Sequence, residues 1–251
     1  MAKVYFIGAG PGDPDLITVK GRDILASADI VIYAGSLVNP ELLKFTKPGA
    51  MLHNSAHMEL TAMVDMMSTY AKLGRTVARL HTGDPSLYGA IAEQMAELDK
   101  SGVEYEVVPG VSSAFAAAAA LKAELTLPEV SQTVILTRME GRTPVPGKES
   151  LASLAKHGAT MVIFLSVGGI DKAVSELSAG YPPDTPAAVV YKASWPEEKV
   201  VKGTLADIAG KVREAGIEKT ALIFVGAAID RSGMAAYSKL YDKGFSHGYR
   251  G

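Results

Sequence analysis

Two Gly-Asp-Pro turns are the residues of this chain best placed to do chemistry. Gly8-Ala9-Gly10-Pro11-Gly12-Asp13-Pro14 follows an apolar run at 4–7, and Thr82-Gly83-Asp84-Pro85-Ser86 follows another at 77–80. Each leads into a helical pattern, which predicts both turns at the carboxyl edge of a parallel sheet, where open α/β sheets take their ligands. The first turn fails as a dinucleotide fingerprint. Asp13 stands where the third glycine is needed, and Pro11 has no N–H for a pyrophosphate. The next strand, at 30–33, is followed by Ala34-Gly35 rather than an acid for a ribose, and no Gly-Lys-Ser/Thr sequence supplies a P-loop. An aspartate in such a turn repels phosphate but tolerates a cation or zwitterion. Gly-Asp-Pro is also ordinary turn chemistry; its repetition at two strand ends leaves the ligand role and the turn role evenly matched.

Other reactive residue types are sparse. There is no Ser/His/Asp grouping and no metal-ligand cluster. His53 and His57 are four apart, but Asn54-Ser55 and the lack of a Glu beside the first His spoil a metalloprotease pattern. Met58, Met63, Met66 and Met67 fall at helical spacing and read first as core or subunit interface, second as an adaptable wall of a ligand site. Arg138 and Arg142 flank Met139-Glu140-Gly141 after a strand, a place to pair carboxylates or to carry surface charge.

The elements that must position these residues alternate strand and helix, the pattern of a parallel α/β sheet. Strands are expected at 4–7, 30–33, 76–80 and 104–108, and helices at 58–73 and 88–100. Pro109-Gly110-Val111-Ser112-Ser113 opens an alanine-rich helix with a serine N-cap. Further strands fall at 133–136, 161–165, 187–191, 199–202 and 221–225, with helices at 169–177 and 205–215. Only 192–198 separates two of those strands, too little for a crossover, so they are expected antiparallel and the second sheet mixed. Trp195 lies in that connection. The expected architecture is two α/β domains, 1–120 with a mostly parallel sheet and 121–251 with a mixed one.

Composition fits this reading. In 251 residues, 48% are hydrophobic and 21% charged, as in an ordinary globular enzyme. A net charge of −2 argues against broad binding to nucleic acid or anionic membrane. The absence of cysteine excludes disulfides and thiolate chemistry and fits a reducing cytoplasm. The start is broken by Gly and Pro too early for a signal peptide, and the apolar run at 115–121 is far below the roughly 20 residues that span a bilayer.

Three motifs in order then carry a family resemblance. The segment from Val4 to Thr18, with Gly8-Ala9-Gly10-Pro11-Gly12-Asp13-Pro14 at its centre, resembles the opening motif of the tetrapyrrole methylases. Arg79-Leu80-His81-Thr82-Gly83-Asp84-Pro85 and Val108-Pro109-Gly110-Val111-Ser112-Ser113 resemble their second and third. Within that family, Tyr33-Ala34-Gly35-Ser36-Leu37-Val38, the stretch 136–146 and the tail 239–250 are similar to precorrin-4 C-11 methyltransferases of cobalamin biosynthesis. The resemblance implies an S-adenosyl-L-methionine-dependent methyltransferase with precorrin-4 as its tetrapyrrole substrate, a cofactor cleft between two domains, and a homodimer. The cobalt-carrying form of that substrate, uroporphyrinogen III methylation, a nucleotide-dependent oxidoreductase and a non-catalytic carrier are the other readings. The resemblance places Pro11, Thr82, Gly83, Asp84, Ser112 and Ser113 on the cofactor, with Leu165, where relatives often have methionine, also on it and Ala193 and Ala221 on its adenosine side. Asp84 is the single candidate for a catalytic role, against a capping role of equal weight. Ser36, Arg138 and Arg142 are the expected substrate contacts, and Lys243, His247 and Arg250 in the tail read as chain end before substrate contact.

Overall fold

Strands buried on both faces must be apolar throughout, and the runs that satisfy this condition build the centre of each sheet. The protein is described by a computed structural model over residues 3–35, 37–230, 238, 244–246 and 248. It divides into two compact units, Met1–Ala116 and Ala117–Gly251, so the division falls a few residues before the expected 120/121 boundary.

The first unit runs β1 (Val4–Gly8), α1 (Val19–Ser27), β2 (Ile30–Tyr33), β3 (Met51–Asn54), α2 (Leu60–Lys72), β4 (Val77–His81), α3 (Ile91–Lys100), β5 (Tyr105–Val108) and the start of α4 (Ser113–Leu121). Its strands form a five-stranded sheet in the order β3-β2-β4-β1-β5, with every pairing parallel. One face packs Phe6, Ile32, Met63, Met67 and Leu98 into a core with α2 and α3. The other packs Ile7, Leu25, Val31, Leu42 and Leu80. Met58 and Met66 lie against the first of these cores, which gives the methionine helix its packing role.

Two elements differ from expectation. The edge strand β3 was not foreseen, because Met51, Leu52 and Asn54 are exposed and the four residues show no buried alternation. The helix expected from 88 begins only at Ile91, because Tyr88 and Ala90 take left-handed backbone (φ 58° and 48°) that an α-helix excludes.

The second unit continues from α4 through β6 (Val134–Arg138), α5 (Leu151–Ala155), β7 (Thr160–Phe164), α6 (Ile170–Leu177), β8 (Pro186–Tyr191), β9 (Lys199–Thr204), α7 (Ile208–Glu214) and β10 (Ala221–Val225). The order is β6-β7-β10-β8-β9; β6 and β7 are parallel, and the other three pairings antiparallel. The sheet is mixed, as the short 192–198 connection requires. Leu151, Met161, Ile163, Leu177, Val189 and Ile223 lead its core. Among the described residues, no helix is long and apolar enough to cross a membrane.

Candidate functional site

In an all-parallel sheet every strand delivers its following loop to the same edge. Gly8 pairs with His81, Ile7 with Val108, and Tyr33 with both Leu80 and Asn54, so the loops after β1, β2, β3, β4 and β5 meet at the carboxyl edge. The two glycine turns are stitched into one unit there. Gly10 and Gly83 form a bridge, with Gly83 N–H to Gly10 O at 2.8 Å and Gly10 N–H to Gly83 O at 3.3 Å. A Cβ on Gly8 would stand 2.4 Å from Gly110 Cα, and one on Gly110 would stand 2.2 Å from Gly83 O. Gly8 and Gly110 thus let three loops approach backbone to backbone.

Side chains complete the weave. The Thr82 hydroxyl donates to Leu37 O at 2.6 Å, and Asn39 Nδ2 donates to Gly12 O at 2.8 Å. Asp84 accepts the Gly110 N–H at 2.8 Å on one carboxylate oxygen, and the Ser86 N–H at 2.9 Å together with the Ser86 hydroxyl on the other. Burial pushes the Asp84 carboxyl up, but the hydrogen bonds from Ser86 and Gly110 outweigh it and hold Asp84 below its ordinary range, so it is ionised at neutral pH. Ser112 caps α4, its hydroxyl accepting Ala114 N–H at 3.3 Å. Pro11, Gly12 and Gly83 are buried at the floor of this edge.

The charge of the edge is one-sided. Residues 9–18, 34–40, 55–59, 82–90 and 109–112 contain Asp13, Asp15, Glu59 and Asp84 but no lysine or arginine. Such an edge suits a ligand carrying positive charge and disfavours a pyrophosphate. A sulfonium with an α-ammonium group fits these residues.

The second sheet assembles its own edge. Arg138 pairs with Phe164 at the ends of β6 and β7, while Ala221 at the start of antiparallel β10 pairs with Tyr191 at the end of β8. Arg138, Leu165, Ala193 and Ala221 therefore stand along one end of this sheet. Non-glycine residues with left-handed backbone gather there: Leu165 (φ 54°), Lys192 (φ 45°), Ser194 (φ 68°) and Thr220 (φ 55°). Leu165 is also 76% exposed, an unusual combination for a leucine. Ser166 holds it there. The buried Ser166 hydroxyl donates to Phe164 O at 2.6 Å and accepts Met139 N–H at 2.8 Å, bracketing Leu165 and tying the ends of β6 and β7 together.

The two arginines differ in placement. Arg138 donates to the carbonyls of Met139 (3.4 Å), Thr143 (3.1 Å) and Pro144 (2.7 Å), which shapes the loop that follows β6. Arg142, inside that loop, is exposed. Ser36, Lys243, His247 and Arg250 lie outside the described residues. Ser166 and Asn39 were missed from the sequence. Asn39-Pro40 carried a turn signal, but a lone serine after a strand carries none. Among the described residues no group of three or more His, Asp or Glu side chains is arranged to hold a metal.

The profile of the tetrapyrrole (corrin/porphyrin) methylases matches residues 3–209. A cobalt-precorrin-4 C(11)-methyltransferase of Methanocaldococcus jannaschii is 60% identical over 99% of this chain and 96% of that protein. A precorrin-4 C(11)-methyltransferase of Pseudomonas aeruginosa is 49% identical over 98% of each. The crystal structure of a uroporphyrin-III C-methyltransferase from Thermus thermophilus, complexed with S-adenosyl homocysteine, superposes with a TM-score of 0.76 at 30% identity, covering 91% of this chain and 99% of that one.

Proposed function

The chain belongs to the tetrapyrrole (corrin/porphyrin) methylases, and from that premise we propose that it methylates C-11 of precorrin-4 with S-adenosyl-L-methionine, in the cobalt-carrying form of the substrate. The observation that carries the cofactor half of this reading is the acidic carboxyl edge of the first sheet, lined by glycine and free of lysine and arginine. When bound there, S-adenosylmethionine supplies an electrophilic methyl group whose bond to sulfur breaks as the ring carbon forms its new bond.

The chain's own residues act by placement. Pro11, Gly83, Ser112 and Ser113 form the wall against which the methionine end is held. Thr82 and Asp84 lock the loops that carry that wall, and the Asp84 charge favours an adjacent cation. Leu165, Ala193 and Ala221 receive the adenosine side. Alignment of this kind can supply several kcal/mol of a displacement barrier, and the ring carbon is already activated by its own nitrogens. The first unit is assigned the substrate trough and the methionine end of the cofactor; the second is assigned the remainder. Arg142 is the direct partner for substrate carboxylates, while Arg138 holds the loop that presents it. Ser36 is a further substrate contact.

Cobalt is favoured because the 60% relative carries it in its name and the 49% relative does not. We also propose a homodimer in the cytoplasm; sedimentation equilibrium should give twice 26.3 kDa. Calorimetric titration with S-adenosylhomocysteine, with NADH in parallel, tests the cofactor. Micromolar affinity for the first alone is expected, and binding of NADH alone would overturn the reading. Turnover of cobalt-precorrin-4 above precorrin-4 and uroporphyrinogen III is the expected substrate order.

A further inference from the structure

Residues 82–90 join β4 to α3, and the exit from this loop is forced. Tyr88 and Ala90 are both left-handed, a conformation that the surroundings must impose on residues with a Cβ. Gly89 between them is wedged, since a Cβ there would stand 2.1 Å from Pro85 O. Two buried side chains meet this exit. His81, the last residue of β4, is 6% exposed, and the Gly89 carbonyl favours its protonated ring. Gln94, in the first turn of α3 and 3% exposed, donates Nε2 to Ala90 O at 2.8 Å.

Both side chains are expensive to bury. His81 Nε2 and Gln94 Oε1 have no hydrogen-bond partner, and a buried polar atom left so lowers stability. The His81 ring, packed 5.9 Å from Phe6, is held neutral by burial and by the nearby Arg79 charge, with a pKa of about 3. Leucine or methionine would fill these places without an orphaned atom. What the polar residues add is a hold on the base of the loop, through the Gln94 bond to Ala90 O and the His81 ring beside Gly89, while Asp84 and Thr82 pin its other end.

We infer that His81 and Gln94 are positioning residues: they set the exit of the 82–90 loop and through it the placement of Thr82, Gly83 and Asp84 against the cofactor. The inference rests on the S-adenosylmethionine reading above. His81→Leu and Gln94→Met remove the grip together with the orphaned atom, whereas His81→Asn keeps a donor near the place of Nδ1.

S-adenosylhomocysteine affinity should fall about tenfold in the first two variants, the loss expected for one buried hydrogen bond. KM for S-adenosylmethionine should rise in proportion while KM for the tetrapyrrole and the melting temperature hold, and His81→Asn should restore wild-type affinity. A purely structural role would instead lower the melting temperature without a selective effect on the cofactor. Unchanged affinity in a folded His81→Leu or Gln94→Met protein overturns the inference, as does an equal loss in His81→Asn and His81→Leu. Should His81→Leu not fold, Gln94→Met carries the comparison. Failure of the wild-type protein to bind S-adenosylhomocysteine would instead defeat the cofactor reading. Hydrogen exchange at 82–90 then decides the positioning role, expected faster in both apolar variants and overturned if unchanged.

Discussion

Asp84 is the residue at which two roles converge. Its carboxylate ties the second glycine loop to Gly110 and leaves a negative charge on an edge without lysine or arginine. Asp84→Asn keeps the size and an acceptor but removes the charge, so affinity for S-adenosylmethionine should fall about tenfold, near 1.4 kcal/mol. Wild-type affinity in that variant would reduce Asp84 to a turn residue. The two arginines should separate kinetically. Arg142→Ala is expected to raise the tetrapyrrole KM about tenfold with cofactor affinity unchanged. Arg138→Ala frees three carbonyls of the 139–146 loop and should also make that loop more sensitive to proteolysis, seen by limited digestion. Leu165 offers a third test. Glycine adopts its left-handed backbone without strain, so Leu165→Gly should hold or raise the melting temperature while cofactor affinity falls.

At the scale of elements, the site depends on loops that approach closer than any side chain allows. Gly8→Ala would force a Cβ against backbone of Gly110 at 2.4 Å, which neither strand end can yield. A loss of about 2–4 kcal/mol in chemical denaturation, together with loss of cofactor binding, is expected. Gly141→Ala, with nothing within 4 Å, should stay within about 0.5 kcal/mol of wild type. The glycine motifs were legible as turns at strand ends because apolar runs preceded them. Their mutual contact was not, since it depends on β1 pairing with β4 on one side and β5 on the other. Edge strand β3 escaped for the opposite reason: an exposed strand is under no demand to be apolar. The late start of α3 escaped because left-handed Tyr88 and Ala90 carry no glycine or asparagine signal.

At the scale of the whole molecule, charge sets the response to acid. The His81 pKa is lowered by burial from 6.5 to about 3, so the unfolded chain takes up a proton that the folded protein refuses. Stability should be full above pH 6.5 and fall as pH drops toward 3, by up to about 1.4 kcal/mol per pH unit from this one group. His81→Asn should flatten that part of the profile of melting temperature against pH. Glu106, held to about 2 by hydrogen bonds from Lys20 and Lys3, loses its contribution as pH falls from 4.5 toward 2, and Asp84, lowered from 3.8, loses its own below that value. The Glu106 pairs are exposed enough that salt should weaken them.

Some properties of this protein are local in origin, and for these the sequence was sufficient. Runs of apolar residues, turn glycines and prolines, and a connection too short for a crossover determine two α/β sheets, one parallel and one mixed, because each follows from interactions within a few residues. The same is true of the three motifs that mark the family. Tertiary structure decided the rest. That Gly8, Gly83 and Gly110 touch, that Thr82 reaches Leu37, that Asp84 reaches Gly110, and that Ser166 ties Met139 to the strained Leu165 are contacts between segments far apart in the chain. No local pattern records them, because each exists only after strand pairing has brought those segments to a common edge.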